Sequence, residues 1–518
     1  MSSGIWSELA SHESTHVQML DQLTVGQVDL FSKGFRSVRN FAVEDKKSTV
    51  ATQAMSGLDA QELTFALEGS LVGDFVNACH LEIKLPALED VADTSLTSYV
   101  WAVGFAMIDS VSLHIEGQEV EKLSGDYMEL HDELHRKPGQ ALQEAVFKYD
   151  RVTVPELAAL SKTARTLYVP LPFFFTRGPH CILPVGKHFD AMIGRTVKVE
   201  VHCQLRAIDQ IAIALPLRGG TAITAPAGLD WSKISVQLYV QQIYLEEAES
   251  KAMWMSSGST GSYRAMCTTV QALHGKSSVY PNLDGSGTID RKKIPLRFPT
   301  KNIIFAIADQ ERLGRTVAVD AAPFGSGGVS ALYGTKSLHA TGSDSDWNAV
   351  KSGSKDLATI SQSGSDVGDL RSSGDVKEWR ADGQAGALFL PGNRFDYRAA
   401  KDGVECEPVK TFSLKLNAQE RVNTNLQPSY LRTVQTLAFN NRPRKGIYTY
   451  SFALDSSSPY PTGTVNFSRI HNRDLRIVAN GNHGAAGDSV KELILYAESI
   501  NIFEIAAGKT AGQFAYTA

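Results

Sequence analysis

The sequence predicts a mostly β protein built as antiparallel sandwiches. The first observation is period-two alternation of apolar and polar residues. It is clearest at 195–205, where Val197, Val199, Val201, Cys203 and Leu205 share one face and Lys198, Glu200, His202 and Gln204 the other. Strands alternating with long helices, the mark of Rossmann-like and α/β-barrel folds, are absent. The third observation is composition: 518 residues, 43% hydrophobic and 21% charged, belong to a folded protein rather than a disordered or fibrous one. At roughly 150 residues per domain this length allows about three domains, or fewer if the β units are large.

Taken in order, the elements are these. Residues 5–23 carry a partial helical stripe of Leu9, Val17, Leu20 and Leu23, diluted by His12 and Thr15, and read as an arm that orders by packing on something else. Alternation recurs at 79–85 (Cys79, Leu81, Ile83, Leu85), 111–115, 235–240 and 411–416 (Phe412, Leu414, Leu416), each a strand with one buried face. Residues 124–136 form the one helix expected between strands, closed by Lys137-Pro138-Gly139. The small, Gly- and Pro-containing stretch 218–230 reads as the inter-domain linker. Residues 325–374 hold 9 Gly and 12 Ser, too little apolar area to offset the entropy of ordering, and read as a surface loop inserted between two strands of the second domain. Residues 492–505 are apolar enough for two short strands or one bent strand.

Charge and cysteine usage exclude several classes. Fifty-one basic against 56 acidic residues leave −5, with no basic excess for nucleic acid. The longest apolar stretches, 169–175 and 211–217, fall short of the roughly 20 residues of a membrane span, and the N-terminus has no secretory pattern. Five scattered cysteines (Cys79, Cys181, Cys203, Cys267, Cys406), never spaced C-x-x-C, predict free core thiols rather than a disulfide scaffold or a zinc knuckle.

Motifs that suggest chemistry are incomplete. His131 and His135 stand at i and i+4 on the expected helix, a spacing that can chelate zinc. Metalloproteases place glutamate directly after the first histidine, where this chain has Asp132, and no third ligand is identifiable nearby. Gly508-Lys509-Thr510 mimics the end of a phosphate loop but has Phe503 where the first glycine belongs. No G-x-S-x-G elbow occurs. Arg442-Pro443-Arg444-Lys445 and Arg291-Lys292-Lys293 read as solvated loop ends, and Asn466-Phe467-Ser468 matches a glycosylation sequon but, with no secretory pattern upstream, reads as structural. No catalytic, cofactor-binding or metal residues are therefore expected.

Three segments in order resemble a known family. They are Leu167-Tyr-Val-Pro-Leu-Pro-Phe-Phe-Phe-Thr-Arg177 followed by Ile182-Leu-Pro184; Gly446-Ile-Tyr-Thr-Tyr-Ser-Phe-Ala-Leu454 with Pro461-Thr-Gly-Thr-Val-Asn-Phe-Ser-Arg469; and Leu495-Tyr-Ala-Glu-Ser-Ile-Asn-Ile-Phe-Glu-Ile505. Together they resemble the major capsid proteins of nucleocytoplasmic large DNA viruses, of the iridovirus and algal-virus type. Residues 239–247 also resemble that family's opening strand of the second jelly roll. In residue terms, Phe173, Phe174 and Phe175 would place aromatics on both faces of a strand, and Tyr448, Tyr450, Phe452 and Leu454 would share one face. Asn466 would begin the return strand.

The resemblance implies two consecutive eight-stranded jelly rolls, about 27–228 and 229–518, after an arm at 1–26, with the Gly/Ser-rich insertion at about 312–400. It implies a non-enzymatic shell protein of the virion, made in the host cytoplasm, whose homotrimers form pseudo-hexagonal capsomers. Partners would be neighbouring capsomers, minor capsid proteins and, through the arm, an inner viral membrane; neither cofactor nor nucleic acid is implied. Two rival classes are a jelly-roll lectin, using aromatics such as Tyr333, Trp347 and Trp379, and a cupin-like enzyme, which needs His and carboxylate ligands gathered in one barrel. Limited proteolysis should cut first within 325–374 and leave both halves associated; first cuts inside 195–205 or 447–454 would contradict the loop assignment.

Overall fold

The alternation at 195–205 becomes a strand, Val199–Leu205, in which Val199, Val201, Cys203 and Leu205 are buried and Gln204 is exposed. The computed structural model describes residues 41–47, 55–67, 73–89, 95–137, 144–148, 160–178, 180–185, 198–216, 226, 228–246, 262–273, 279–280, 288–291, 294–309, 395, 397, 399–401, 404–406, 408–417, 419–443, 446–479, 491–506 and 513–514. The arm at 1–26 and nearly all of the 312–400 insertion lie outside them.

Among the described residues, four sheets with four strands each along their main paths arrange as two sandwiches. In the first, one sheet runs in the order β1 (Phe41–Lys47), β8 (Ser235–Leu245), β3 (Phe75–Leu85), β6 (Arg165–Pro170). Its companion runs β2 (Gln61–Ala66), β7 (Val199–Leu205), β4 (Ile108–Ile115), β5 (Gln118–Ser124). In the second, the sheets are β9 (Ser262–Ala272), β16 (Lys491–Ala506), β11 (Pro299–Asp309), β14 (Ile447–Ser451) and β10 (Thr288–Arg291), β15 (Arg473–Ala479), β12 (Val409–Leu416), β13 (Gln419–Leu426). Numbered within its own sandwich, each pair of sheets has the same order, 1-8-3-6 and 2-7-4-5, and all these pairings are antiparallel. That order brings first and last strands together, as in a jelly roll.

The strand order corrects the expected boundary. Residues 235–245 do not open the second sandwich. β8 pairs along its length with β1 (Tyr239 opposite Lys47, Leu245 opposite Phe41) and with β3 (Ser235 opposite Lys84), so it closes the first. The division therefore falls after Leu245 rather than at 228/229. Local alternation identifies a strand; only its distant partners say to which sheet it belongs.

One sheet is buried on both faces. On β11, Ile303, Phe305 and Ile307 point into the second sandwich's own core, with Phe412, Tyr448 and Leu475. The intervening Ile304, Ala306 and Ala308 join the core of the first sandwich, as do Ile494 and Tyr496 of β16 and Ile447 of β14. A strand covered on both sides reads as a continuous apolar run. Of the two readings of 492–505, the single strand holds: β16 is one strand of 16 residues.

The helix α1 (Gly125–His135) rides on this seam. Ser124 caps it, its Oγ accepting from Tyr127 N at 3.2 Å, and Asp126 sits in the first turn where the helix dipole favours an anion. A Cβ on Gly125 would stand 2.3 Å from the Ile108 carbonyl and 2.4 Å from that of Phe105, so only glycine lets the helix start this close to β4. The Phe173–Phe175 run differs from expectation: after Pro170 ends β6, Phe174–Thr176 form a 3-10 turn and all three rings are buried within the chain. Asn466 closes a two-residue strand and caps the Phe467–Arg469 turn, so the return strand β15 begins only at Arg473.

Adjacent residues on β11 test the double burial. Ile303→Ala and Ile304→Ala should each cost about 2–5 kcal/mol in denaturant unfolding, although they point to opposite faces. A loss below about 0.5 kcal/mol for Ile304→Ala, the scale of a surface change, would show that its face is not a core.

Candidate functional site

The polar chemistry of the described residues concentrates where α1 of the first sandwich meets β16 of the second. Glu498, 2% exposed, is the lone carboxylate in the buried stretch of β16. Its Oε1 accepts from the Tyr127 hydroxyl at 2.8 Å and lies 3.1 Å from His135 Nε2, while Oε2 accepts from Asn302 Nδ2 at 2.7 Å. His135 Nδ1 is 3.2 Å from Ser457 Oγ. His131, one turn back, stacks on His135 with centroids 4.5 Å apart and touches Tyr127 on its other side. Burial, reinforced by the neighbouring His135, holds the His131 imidazole well below its ordinary value. Burial alone would raise the Glu498 carboxyl, but His135, His131 and Lys301 together hold it well below the carboxylate range.

Arg177 stitches the same seam one layer away. Its guanidinium donates to the carbonyls of Thr268 on β9 and Pro172, each at 2.6 Å, pairs with Glu121 at 3.2 Å and lies over the Tyr127 ring. Glu121 in turn accepts from Phe174 N at 2.6 Å, so the buried aromatic turn, β5 and the second sandwich are fixed through one ion pair. Burial raises the Glu121 carboxyl, opposed by Arg177 and the Phe174 N–H. Phe174 then packs on Phe503 of β16, centroids 4.8 Å apart. The C-terminal carbonyls of α1 are met from the second half as well. Asn441 N donates to Leu134 O, Asn441 Nδ2 to Glu133 O and Asn440 Nδ2 to His135 O, each at 3.1 Å. On the opposite flank of α1, buried Lys148 bonds Glu129 at 3.2 Å and Asp132 at 3.0 Å and pairs with Glu133, and Tyr397 donates to Glu129 at 3.1 Å.

The two histidines expected on one helix face are there, and the structure adds what the local sequence lacked. Glu498 supplies a third donor, and ligand atoms of His131, His135 and Glu498 all lie within 4.8 Å of one another. A carboxylate in the apolar run 493–500 was the available signal, but Tyr127 and the histidines it meets lie in the other sandwich. Cys79, Cys181, Cys203 and Cys267 are buried free thiols, as expected; burial pushes Cys181 up to about 11 and Cys203 to about 12. Gly508-Lys509-Thr510, Tyr333, Trp347 and Trp379 lie outside the described residues.

The aromatic face expected at 448–454 divides. Tyr448 is in the second core, Tyr450 and Phe452 pack partly against it, and Leu454 is 88% exposed. Leu454 stands near a second exposed leucine, Leu437, 82% exposed, with Val434, Tyr430 and Tyr460 also open. Two hydrogen bonds join the segments that carry them: Ser456 N donates to Ala438 O at 2.7 Å and Ser451 N to the Gln435 side-chain Oε1 at 3.0 Å.

Two like-ordered jelly rolls sharing a doubly buried sheet define a double jelly-roll protein. A sequence model of the major capsid protein N-terminus matches residues 29–246, and one of the large eukaryotic DNA virus major capsid protein matches 274–511. The chain belongs to the major capsid proteins of large eukaryotic DNA viruses, and is thus a structural protein of the virion capsid. It is 24% identical to the major capsid protein of Phaeocystis pouchetii virus over 95% of this chain and 96% of that protein. It is 22% identical to the major capsid protein of Paramecium bursaria Chlorella virus 1 over 87% and 82%. Among solved structures, the quasi-atomic model of the PBCV-1 virus capsid shares the fold with a TM-score of 0.61 at 18% identity, covering 95% of this chain and all of that one. The Faustovirus major capsid protein does so with a TM-score of 0.54 at 11% identity, covering 95% and 94%.

Removing one partner of the Arg177–Glu121 pair leaves a buried charge unmatched. Arg177→Met should destabilise by about 3–5 kcal/mol, and adding Glu121→Gln should restore part of that loss. Thermal melts of both variants check it; a double variant no better than the single would contradict the pairing.

Proposed function

We propose that the chain acts as a homotrimer, each trimer a pseudo-hexagonal capsomer of the shell. Two similar sandwiches per chain, three times over, offer six similar columns around an axis, the footprint of a hexagonal tile. The observation that carries the reading is the exposed corner of the second sandwich, Tyr430, Val434, Leu437, Leu454 and Tyr460. Among the described residues, five of the ten exposed large apolar side chains fall within 31 residues of chain, 430–460. Exposed apolar surface concentrated in this way marks an interaction site. A ring of identical head-to-tail contacts closes at a fixed number of copies.

Phe173–Phe175 and Tyr448 are consumed inside the chain and leave nothing to share. At the outer edge of the first sandwich, β1 carries Glu44, Asp45, Lys46 and Lys47, charges that deter edge-to-edge pairing of sheets. The trimer contact is therefore one of side chains and loops rather than a continued ladder.

In the shell, capsomers would meet their neighbours and minor capsid proteins, and the segment 1–26 would face an inner membrane. The role is structural rather than catalytic: the ionisable groups of the seam face one another across two packed sandwiches. The balanced charge of −5 suits tiles packed side by side and provides no footprint for nucleic acid. Synthesis in the host cytoplasm fits the four buried free thiols.

Light scattering coupled to size exclusion should give about three times the chain mass of 56.3 kDa. Leu437→Asp with Leu454→Asp should shift it to monomer, since each buried leucine is worth about 1.5–3 kcal/mol per contact. A stable wild-type monomer would overturn the trimer; an intact trimer in the double variant would place its interface elsewhere.

A further inference from the structure

Glu498 is a carboxyl group sealed between two sandwiches at 2% exposure, and a buried carboxylate needs a cation or a full set of donors. Of the two permanent cations nearby, Arg177 is matched by Glu121 at 3.2 Å, and Lys301 directs its ammonium to Ser458 O at 2.8 Å. The groups that face Glu498 closely are Tyr127, Asn302 and the two imidazoles.

We propose that His131, His135 and Glu498 form a divalent-metal site of the zinc class that clips the two sandwiches together. Imidazole and carboxylate are the donors such an ion takes, and two histidines with one glutamate make a neutral-plus-anionic set that leaves a fourth position for water. The spacing fits. Donors held at 2.0–2.1 Å around a tetrahedral ion lie about 3.3 Å apart, and His135 Nε2 stands 3.1 Å from Glu498 Oε1. All three donors fall within 4.8 Å of one another, so small side-chain rotations bring His131 into the same sphere. The i, i+4 spacing on α1 points both rings to one side of the helix.

The supporting contacts are those a metal ligand requires. The second nitrogen of His135 is held by Ser457 at 3.2 Å, fixing which nitrogen faces the ion, and Asn302 holds the far oxygen of Glu498 at 2.7 Å. The opposing charge of Arg177 and Lys301 lowers the affinity without altering the geometry. Because two ligands come from α1 and one from β16, binding favours only the assembled pair of sandwiches and so adds to their joint stability.

The test uses tag-free, full-length protein loaded with zinc chloride and desalted, with metal measured by mass spectrometry. One zinc per chain is expected, together with a raised melting temperature. His131→Phe keeps an aromatic ring between Tyr127 and His135 but removes a donor, and Glu498→Gln removes the charge; each should retain less than a tenth of the wild-type zinc, and neither should melt later when zinc is added. Cobalt(II) in the unaltered protein gives a readout free of any folding defect, with the strong visible bands of a tetrahedral site expected. A wild type that keeps no zinc, a His131→Phe variant that keeps as much as wild type, or a weak octahedral cobalt spectrum would overturn the site and leave a histidine–carboxylate pair only.

Discussion

In the second sandwich's β9-β16-β11-β14 sheet, β11 from Lys301 to Ala308 and β16 from Leu493 to Ser499 have no wet face, and the rest of the architecture depends on that. β11 and β16 supply alternate residues to two different cores: the second core is built from second-half residues alone, whereas the first takes Ile304, Ala306, Ala308, Ile494 and Tyr496 from the second half. Ala306 and Ala308 sit on the side toward the first sandwich, where small side chains let α1 and its flanking strands approach closely. On the side toward the second core the same strand carries Ile303, Phe305 and Ile307, which fill the larger gap between two facing sheets. Two jelly rolls joined in this way behave as one block, unlike domains tied by a linker and a modest polar interface.

A shell subunit benefits from such a block. A tile whose two columns hinged would transmit strain between neighbours, whereas a shared hydrophobic layer fixes their relation before assembly begins. The polar seam adds specificity to that layer. Arg177, Glu121, Glu498 and the asparagines capping α1 each find partners only in one register of the two sandwiches, so a slipped arrangement would strand buried charges. The apolar layer provides most of the attraction and the polar groups select the geometry.

Elements with one wet face were legible in the sequence. Residues 195–205, 79–85 and 411–416 alternate because water meets one side, and they became β7, part of β3 and part of β12. The helix was legible from its Lys137-Pro138-Gly139 stop, and the structure adds the Ser124 cap at its other end. The doubly buried β16 was legible as strand from its apolar content but not as one strand rather than two, because a strand without a polar face loses its period. The sheet to which 235–245 belongs was not legible, since its partner β1 lies nearly 200 residues earlier and alternation carries no address. The phenylalanine run misled for a local reason: Pro170 and Pro172 turn the chain out of the ladder, and three rings reach the core from a tight turn instead. At the seam, His131 and His135 were legible as a pair because a helix fixes their spacing, whereas Glu498 meets His135 across 363 residues and only the fold brings them together.

Native-state hydrogen exchange read by mass spectrometry tests the central claim, that one shared sheet makes the two sandwiches a single unit. Amides of Pro299–Asp309, Lys491–Ala506 and Gly125–His135 are expected to exchange slowest and to open together, in one cooperative event with the free energy of global unfolding. Exchange of Gly125–His135 well ahead of the two strands, or opening of one sandwich while the other stays protected, would contradict it.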